Sequence, residues 1–88
     1  MSTRLYVGDL GWGTTDEGLA AAFGGAGAFV SAHVETETVS GRSRGFGYVT
    51  FETREAADAA LAELDGSRLD GRNIRVRIAI EPAKLDTR

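Results

Sequence analysis

The sequence predicts an α+β sandwich in which four strands form one antiparallel sheet and two helices cover one of its faces. Four segments alternate apolar and polar residues as half-buried strands do, and two segments repeat apolar residues at helical spacing. Their order along the 88 residues is βαββαβ, which is the order of the ferredoxin-like split βαβ unit. When both helices pack on one face of the sheet, its other face is left open to water.

The first strand and the first helix occupy the beginning of this pattern. Residues Arg4 to Gly8 alternate, which turns Leu5 and Val7 toward the helices. The T-x-x-E sequence that follows predicts a capping box, with Thr14 as N-cap and Glu17 at the third helical position. Leu19, Ala22 and Phe23 follow at helical spacing, and the glycine-rich run at 24–27 is expected to end the helix.

Two further strands follow the glycine-rich run. The second is predicted over Phe29 to Thr36, with Ala32 and Val34 turned inward. A polar loop then leads into the third strand, Arg44 to Phe51. Its alternating aromatic and glycine residues give this strand the most distinctive sequence in the chain.

The second helix and the last strand complete the pattern. Thr53 is the predicted N-cap of the helix, and Gly66 is the predicted end. A small turn is expected around residues 70–71, before a last strand over Ile74 to Ile78. The apolar stripe of the helix, at i, i+3, i+4 and i+7, consists of Ala57, Ala60, Leu61 and Leu64.

Aromatic side chains are predicted on the open face of the sheet. Alternation turns Val49 and Phe51 of the third strand toward the helices and turns Phe46 and Tyr48 toward water. Tyr6 also points to water, because its two neighbours are the inward pair of the first strand. Large apolar groups exposed together usually mark a binding surface.

Two motifs on these strands resemble those of the RNA recognition motif family. Residues 44–51 read RGFGYVTF, which fits the signature [K/R]-G-[F/Y]-[G/A]-F-V-x-[F/Y] with Tyr as a common variant at the fifth place. Residues 5–10 read LYVGDL and resemble the shorter signature, in which Asn is more usual at the place of Asp9. The resemblance extends over about residues 4–80.

The resemblance implies a binding role for particular side chains. Tyr6 and Phe46 would each stack a nucleic-acid base, Tyr48 would lie against the sugars or a neighbouring base, and Arg44 would pair with a phosphate. Gly47 is expected to allow close approach to the helices and Gly45 to allow a backbone bend. The full set of predicted RNA-binding residues is Tyr6, Phe46, Tyr48, Arg44, Arg42, Arg4, Arg75, Arg77 and His33.

The charge of the chain argues against strong non-specific binding of nucleic acid. The formal net charge is −3, but most acidic residues fall on or beside the two helices, away from the aromatic face. The predicted arginines surround that face, so we expect a locally basic sheet on an acidic protein. Trp12, in the loop after the first strand, is interpreted as a packing anchor, with stacking on a base as the alternative.

Composition narrows the functional classes further. The absence of cysteine excludes disulfides and thiol catalysis and fits a reducing compartment. We expect one domain over 1–88, with its core at about 4–80 and a short C-terminal tail at 81–88. Neither a membrane span nor a signal peptide is visible. The expected location is intracellular: the cytoplasm in a bacterium, and otherwise the nucleus, cytoplasm or an organelle.

The sequence therefore predicts a monomeric module that binds single-stranded RNA without metal or cofactor, in RNA processing, chaperoning or post-transcriptional regulation. Single-stranded DNA is an alternative ligand, because stacking does not depend on the sugar. A second alternative is a protein-interaction module in a larger RNA-processing complex, with the helical face as a further surface for protein partners. Acylphosphatases share the βαββαβ order, but the first loop has no Arg and Asn73 is the only Asn, so an enzyme is not expected.

Overall fold

The computed structural model describes residues 3–26 and 28–79. Within them the elements follow the predicted order, with a two-stranded hairpin added before the last strand. The predicted C-terminal tail at 81–88 lies outside the described residues. The element bounds are β1 Arg4–Gly8, α1 Asp16–Phe23, β2 Phe29–Thr36, β3 Ser43–Phe51, α2 Arg54–Leu64, β4 Arg68–Leu69, β5 Arg72–Asn73 and β6 Arg75–Ile78.

The main sheet has the strand order β2-β3-β1-β6, and all three of its neighbouring pairs are antiparallel. The two motif strands, β1 and β3, therefore lie side by side at its centre. Helices α1 and α2 pack on one face, which confirms the predicted sandwich. The fully buried core includes the predicted inward residues Leu5, Val7, Val49 and Phe51, packed against Leu19, Phe23, Ala57 and Ala60 of the helices.

The predicted capping box of α1 is wrong by one residue. Thr15 is the N-cap, and its hydroxyl accepts a hydrogen bond from the N–H of Gly18. Thr14 is unavailable for this role because it is buried and its hydroxyl donates to Oδ2 of Asp70 at 2.7 Å. The helix ends at Phe23, where it tightens into a single 3₁₀ turn. Of the glycines expected to end it, Gly27 lies outside the described residues.

The structure confirms the predicted N-cap and the predicted end of the second helix. The hydroxyl of Thr53 accepts the N–H of Ala56 at 3.1 Å, and Gly66 follows the C-cap with φ +83°. The predicted turn closes the β4–β5 hairpin, with positive φ at both Asp70 and Gly71. Two successive residues of that conformation suit the twist of a two-residue hairpin.

The two glycines of the β3 motif have different structural reasons. Gly45 has φ +86°, which confirms the predicted bend. A Cβ at Gly47 would collide with the carbonyl oxygen of His33 and lie 3.0 Å from Cα of Val34. The close approach at Gly47 is therefore to the backbone of the adjacent strand β2, and not to the helices as predicted.

The two edge strands, β2 and β6, each donate one backbone N–H to an aspartate at a helix end. Oδ1 of Asp16, the first residue of α1, accepts from Val34 N at 2.6 Å. Oδ1 of Asp65, the C-cap of α2, accepts from Val76 N at 2.9 Å. The side chain of Arg77 donates to the carbonyl oxygen of Val76 at 2.8 Å. These side chains thus supply hydrogen-bond partners to backbone groups that an edge strand would otherwise leave unpaired.

The hydrogen bond from Val76 is the largest cause of the lowered pKa of Asp65; desolvation opposes it, and the charge of Arg77 lowers the pKa further. The Asp65 carboxylate therefore links the end of α2 to β6 most strongly when it is ionised. Neither α1 nor α2 is long or apolar enough to cross a membrane, and no other helix among the described residues is.

Candidate nucleic-acid interface

Three aromatic rings form a cluster on the open face of the sheet, as predicted. The Tyr6 ring centroid lies 5.6 Å from that of Phe46 and 6.0 Å from that of Tyr48, and Phe46 and Tyr48 are 6.0 Å apart. All three side chains are only partly buried, although adjacent inward residues of the same strands are fully buried. We call Tyr6, Phe46 and Tyr48 the aromatic face.

Strand register places two rings of this face, Tyr6 and Tyr48, in a row of side chains that crosses the whole sheet. His33 of β2 is opposite Tyr48 of β3, Tyr48 is opposite Tyr6 of β1, and Tyr6 is opposite Arg77 of β6. Neighbouring strands are about 4.8 Å apart, so the four side chains form a continuous surface. The predicted positions of His33 and Arg77 beside the aromatic face are therefore observed.

Gly8 is a residue of this surface that the sequence analysis did not identify. A Cβ added at Gly8 would lie 2.7 Å from the Tyr6 hydroxyl oxygen and 2.9 Å from Cε2 of the same ring. The Tyr6 ring thus leans toward the C-terminal end of β1 and occupies the space that a side chain at position 8 would fill. The sequence feature that could have identified Gly8 is its position two residues after Tyr6, on the same side of the strand.

Two of the predicted arginines lie against the aromatic rings. The guanidinium carbon of Arg4 is 4.2 Å from the Tyr48 centroid, and that of Arg44 is 5.4 Å from the Phe46 centroid. Both distances are within the range of cation–π attraction. These contacts place positive charge directly at the rings, where the phosphates of a stacked strand would pass.

Three further basic side chains beside the face, those of Arg75, Arg77 and His33, each have an acidic neighbour. Arg75 pairs with Asp9 at 3.4 Å, Arg77 with Asp65 at 3.3 Å, and Nδ1 of His33 with Asp16 at 3.4 Å. The prediction that acidic residues on or beside the helices lie away from the aromatic face is therefore wrong for Asp16 and Asp65. Helix ends reach the edges of the sheet, and their carboxylates contact basic side chains of the edge strands there.

Trp12 is not the predicted packing anchor, because 75% of its surface is exposed. Leu10 fills the core position in this loop and is buried. Trp12 instead lines a cleft together with Arg42 and Arg44, which extends from the edge of the aromatic face. The structure thus brings Arg42, a predicted binding residue, next to an aromatic residue that was assigned to the core.

Residues 3–26 and 28–79 contain no cluster of three or more His, Cys, Asp or Glu side chains placed to hold a metal ion. The open face carries three aromatic rings, with the guanidinium groups of Arg4 and Arg44 against two of them. Exposed aromatic rings combined with positive charge suit unpaired bases and their phosphates.

The βαββαβ sandwich and its aromatic face define the class, a small module with the features of single-strand nucleic-acid recognition. Comparison with known families agrees with this geometry, since the RNA recognition motif family model matches residues 5–75. The chain belongs to the RNA recognition motif family. This membership confirms the resemblance and the fold class predicted from the sequence.

Curated relatives carry names of the same kind. The chain is 51% identical over 79 residues to glycine-rich RNA-binding protein 1 of Mycosarcoma maydis, covering 90% of this chain and 45% of that protein. It is also 51% identical over 79 residues to the mitochondrial glycine-rich RNA-binding protein 2 of Arabidopsis thaliana, covering 90% of this chain and 50% of that protein. The chain thus spans about half the length of these relatives.

A solved structure matches at the level of a whole domain. The second RNA recognition motif domain of the yeast poly(U)-binding protein superposes with a TM-score of 0.85 at 36% identity, covering 89% of this chain and 94% of that one. These similarities confirm the prediction of a binding module rather than an enzyme, because the matching proteins are named for RNA binding or for RNA recognition domains.

Proposed function

We propose that this domain binds single-stranded RNA across its open sheet face, with bases stacked on Tyr6 and Phe46. Tyr48 lies beside the sugars or a third base, and Arg44 pairs with a phosphate. The observation that carries the proposal is the aromatic face itself, three rings within 5.6–6.0 Å of each other on a surface that the helices leave uncovered. The names of the relatives support RNA as the ligand.

The expected affinity is modest. Stacking on an aromatic side chain contributes roughly 1–3 kcal/mol per base, and micromolar binding requires about 8 kcal/mol. Ordering a flexible strand opposes binding, and Arg75 and Arg77 must exchange their carboxylate partners for phosphates. We therefore expect micromolar binding of short oligomers by one domain.

The direct test is fluorescence anisotropy of a labelled pool of random single-stranded RNA octamers, titrated with the wild type and with Phe46→Ala. Loss of one stacking platform should weaken binding by roughly fivefold to a hundredfold. Phe46→Tyr is the matched control, because it keeps the ring and should bind like the wild type. Circular dichroism establishes that each variant is folded.

Two outcomes would contradict the proposal: the wild type binds no RNA, or Phe46→Ala binds as well as the wild type. A parallel titration with the corresponding DNA pool tests the sugar, because a protein that distinguishes RNA must contact the 2′-hydroxyl. Equal affinity for both pools would make single-stranded nucleic acid, rather than RNA alone, the ligand class.

We further propose that the domain acts as a monomer, with its helical face free for protein partners. The fold leaves the exposed surfaces of α1 and α2 outside the proposed RNA site. A role in RNA processing, chaperoning or regulation follows from binding of this kind. The mitochondrial relative supports an organelle as one compartment in which such a protein works.

A further inference from the structure

The cleft beside the aromatic face has a composition suited to a nucleotide. Its volume is 440 Å³, and it lies between the β1–α1 loop and the start of β3, within the usual size range of ligand sites. Trp12 lines one side, and the charged side chains in the lining are Arg42, Arg44, Arg72 and Glu37. Three positive charges and one negative charge give the lining a net charge of +2.

The loop that carries Trp12 is held in place by the surrounding fold. The N–H of Leu10 donates to the carbonyl oxygen of Gly45 at 2.8 Å, which ties the loop to β3 at the cleft. On the other side of Trp12, the buried Thr14 bonds Asp70 across 56 residues of sequence. Trp12 is therefore presented to solvent by an anchored loop, at the side of a cleft that also holds arginines.

Arg44 makes the cleft continuous with the aromatic face. Its guanidinium lies above the Phe46 ring, and the same residue lines the cleft. A strand stacked on Phe46 would pass Arg44 and arrive at Trp12 without leaving a surface of aromatic rings and positive charge. Such a combination is what binds successive nucleotides of a single strand.

We propose that this cleft binds an additional nucleotide of the same RNA strand, with its base stacked on Trp12 and its phosphate held by Arg42 and Arg44. The inference rests on the proposed function and extends the site beyond the predicted residues. Arg72, which reaches the cleft from the β4–β5 hairpin, adds a third positive charge. The extended site requires a longer oligomer than the aromatic face alone.

The test uses the fact that Trp12 is the only tryptophan of the chain. Random single-stranded RNA tetramers and octamers are titrated while tryptophan emission and the anisotropy of a labelled oligomer are followed. Octamers should quench Trp12 emission. Trp12→Ala should weaken octamer binding roughly fivefold to a hundredfold, the range of one stacked base, and change tetramer binding less than twofold.

Val39→Ala is the matched control, because Val39 is an exposed apolar residue of the β2–β3 loop that does not line this cleft. It should bind both lengths like the wild type. Phe46→Ala should weaken the binding of both lengths, which separates the two parts of the site. Trp12→Phe retains a ring and should restore most of the octamer affinity.

Three results would overturn the inference. In the first, Trp12→Ala binds octamers as tightly as the wild type does, while octamers leave the emission of the wild type unquenched. The cleft is then not part of the RNA site, and the proposed function still stands. Equal losses of Trp12→Ala for tetramers and octamers would show that Trp12 belongs to the primary site. Absence of RNA binding by the wild type would overturn both the proposed function and this extension of it.

Discussion

Two glycines on the central strands determine where the neighbouring groups can lie, and they do so in different ways. Gly47 makes room for the backbone of β2, which is fixed by a ladder of hydrogen bonds. Gly8 makes room for the end of the Tyr6 side chain, which rotates about its own bonds. The first glycine is thus required by the sheet, whereas the second is required by the position of one ring.

We expect Gly47→Ala to lower the free energy of unfolding by about 1–3 kcal/mol or more, the usual cost of overpacking a filled site. The methyl group would force His33 and β3 apart at the centre of a strand pair. Urea denaturation measures the change. Gly13→Ala is the control, because a Cβ there meets no atom within 4 Å, and equal stability of the two variants would contradict the prediction.

Gly8→Ala should affect binding more than stability. Its methyl group would displace the Tyr6 ring from its place between Phe46 and Tyr48, which the flexible side chain allows at small cost. We expect a loss of RNA affinity of about threefold to tenfold, up to the lower part of the range for a stacked base, with stability within about 1 kcal/mol of the wild type. Anisotropy and urea denaturation on the same samples distinguish this result from general unfolding.

At the scale of whole elements, local patterns predicted the strands and helices well because alternation and helical spacing are properties of neighbouring residues. Strand β2 has the predicted bounds, and β3 begins one residue earlier than predicted. The error in the predicted N-cap of α1 has a long-range cause, because the hydroxyl of Thr14 donates to Asp70 in a distant hairpin. The exposure of Trp12 likewise depends on Leu10 filling the core instead, which no local pattern reveals.

The contact between the end of α2 and β6 should make stability depend on pH through Asp65. Because the fold lowers the pKa of Asp65, its contribution is present above the range where an unfolded aspartate titrates. That contribution is lost as the pH falls through the lower folded-state value. We expect Asp65→Asn to be less stable than the wild type at neutral pH and to approach it as the pH falls from about 5 to about 2.

Urea denaturation across this pH range measures the difference. Arg77→Ala is an informative companion, because the hydrogen bond from Val76 is the larger cause of the lowered pKa. This variant should therefore keep most of the pH dependence that Asp65→Asn loses. Parallel stability profiles for the wild type and Asp65→Asn would contradict the assignment.

At the scale of the whole molecule, the net charge of −3 is unevenly distributed. Arg4 and Arg44 lie at the aromatic rings, whereas Asp9, Asp16 and Asp65 lie at the margins of the sheet face, each beside a basic side chain. The molecule is a slab with a shortest extent of 19 Å, and the exposed acids of α2 lie in the layer opposite the sheet face. The Debye length is about 8 Å at physiological ionic strength. The phosphates of a bound strand therefore respond chiefly to the nearby arginines.

Binding should accordingly weaken with salt, but with a small slope. Each phosphate contact to a single strand contributes about −0.7 to the slope of log K against log salt, and we expect a total between about −1 and −3. Arg44→Ala should reduce the magnitude by about 0.7. Arg54→Ala, which removes an arginine paired with Asp58 on α2, is the control and should leave the slope unchanged, whereas equal slopes for all three proteins would contradict this prediction.

Asp16 and Asp65, at the two edges of the sheet, affect how copies of this domain interact with each other. A bare strand edge tends to pair with the edge of another sheet when copies of a protein come close together. Asp16 and Asp65 each accept one edge N–H group, and Arg77 donates to one edge carbonyl oxygen. We therefore expect edge-to-edge pairing between two copies to be disfavoured at Val34 and Val76, where these backbone groups are already engaged.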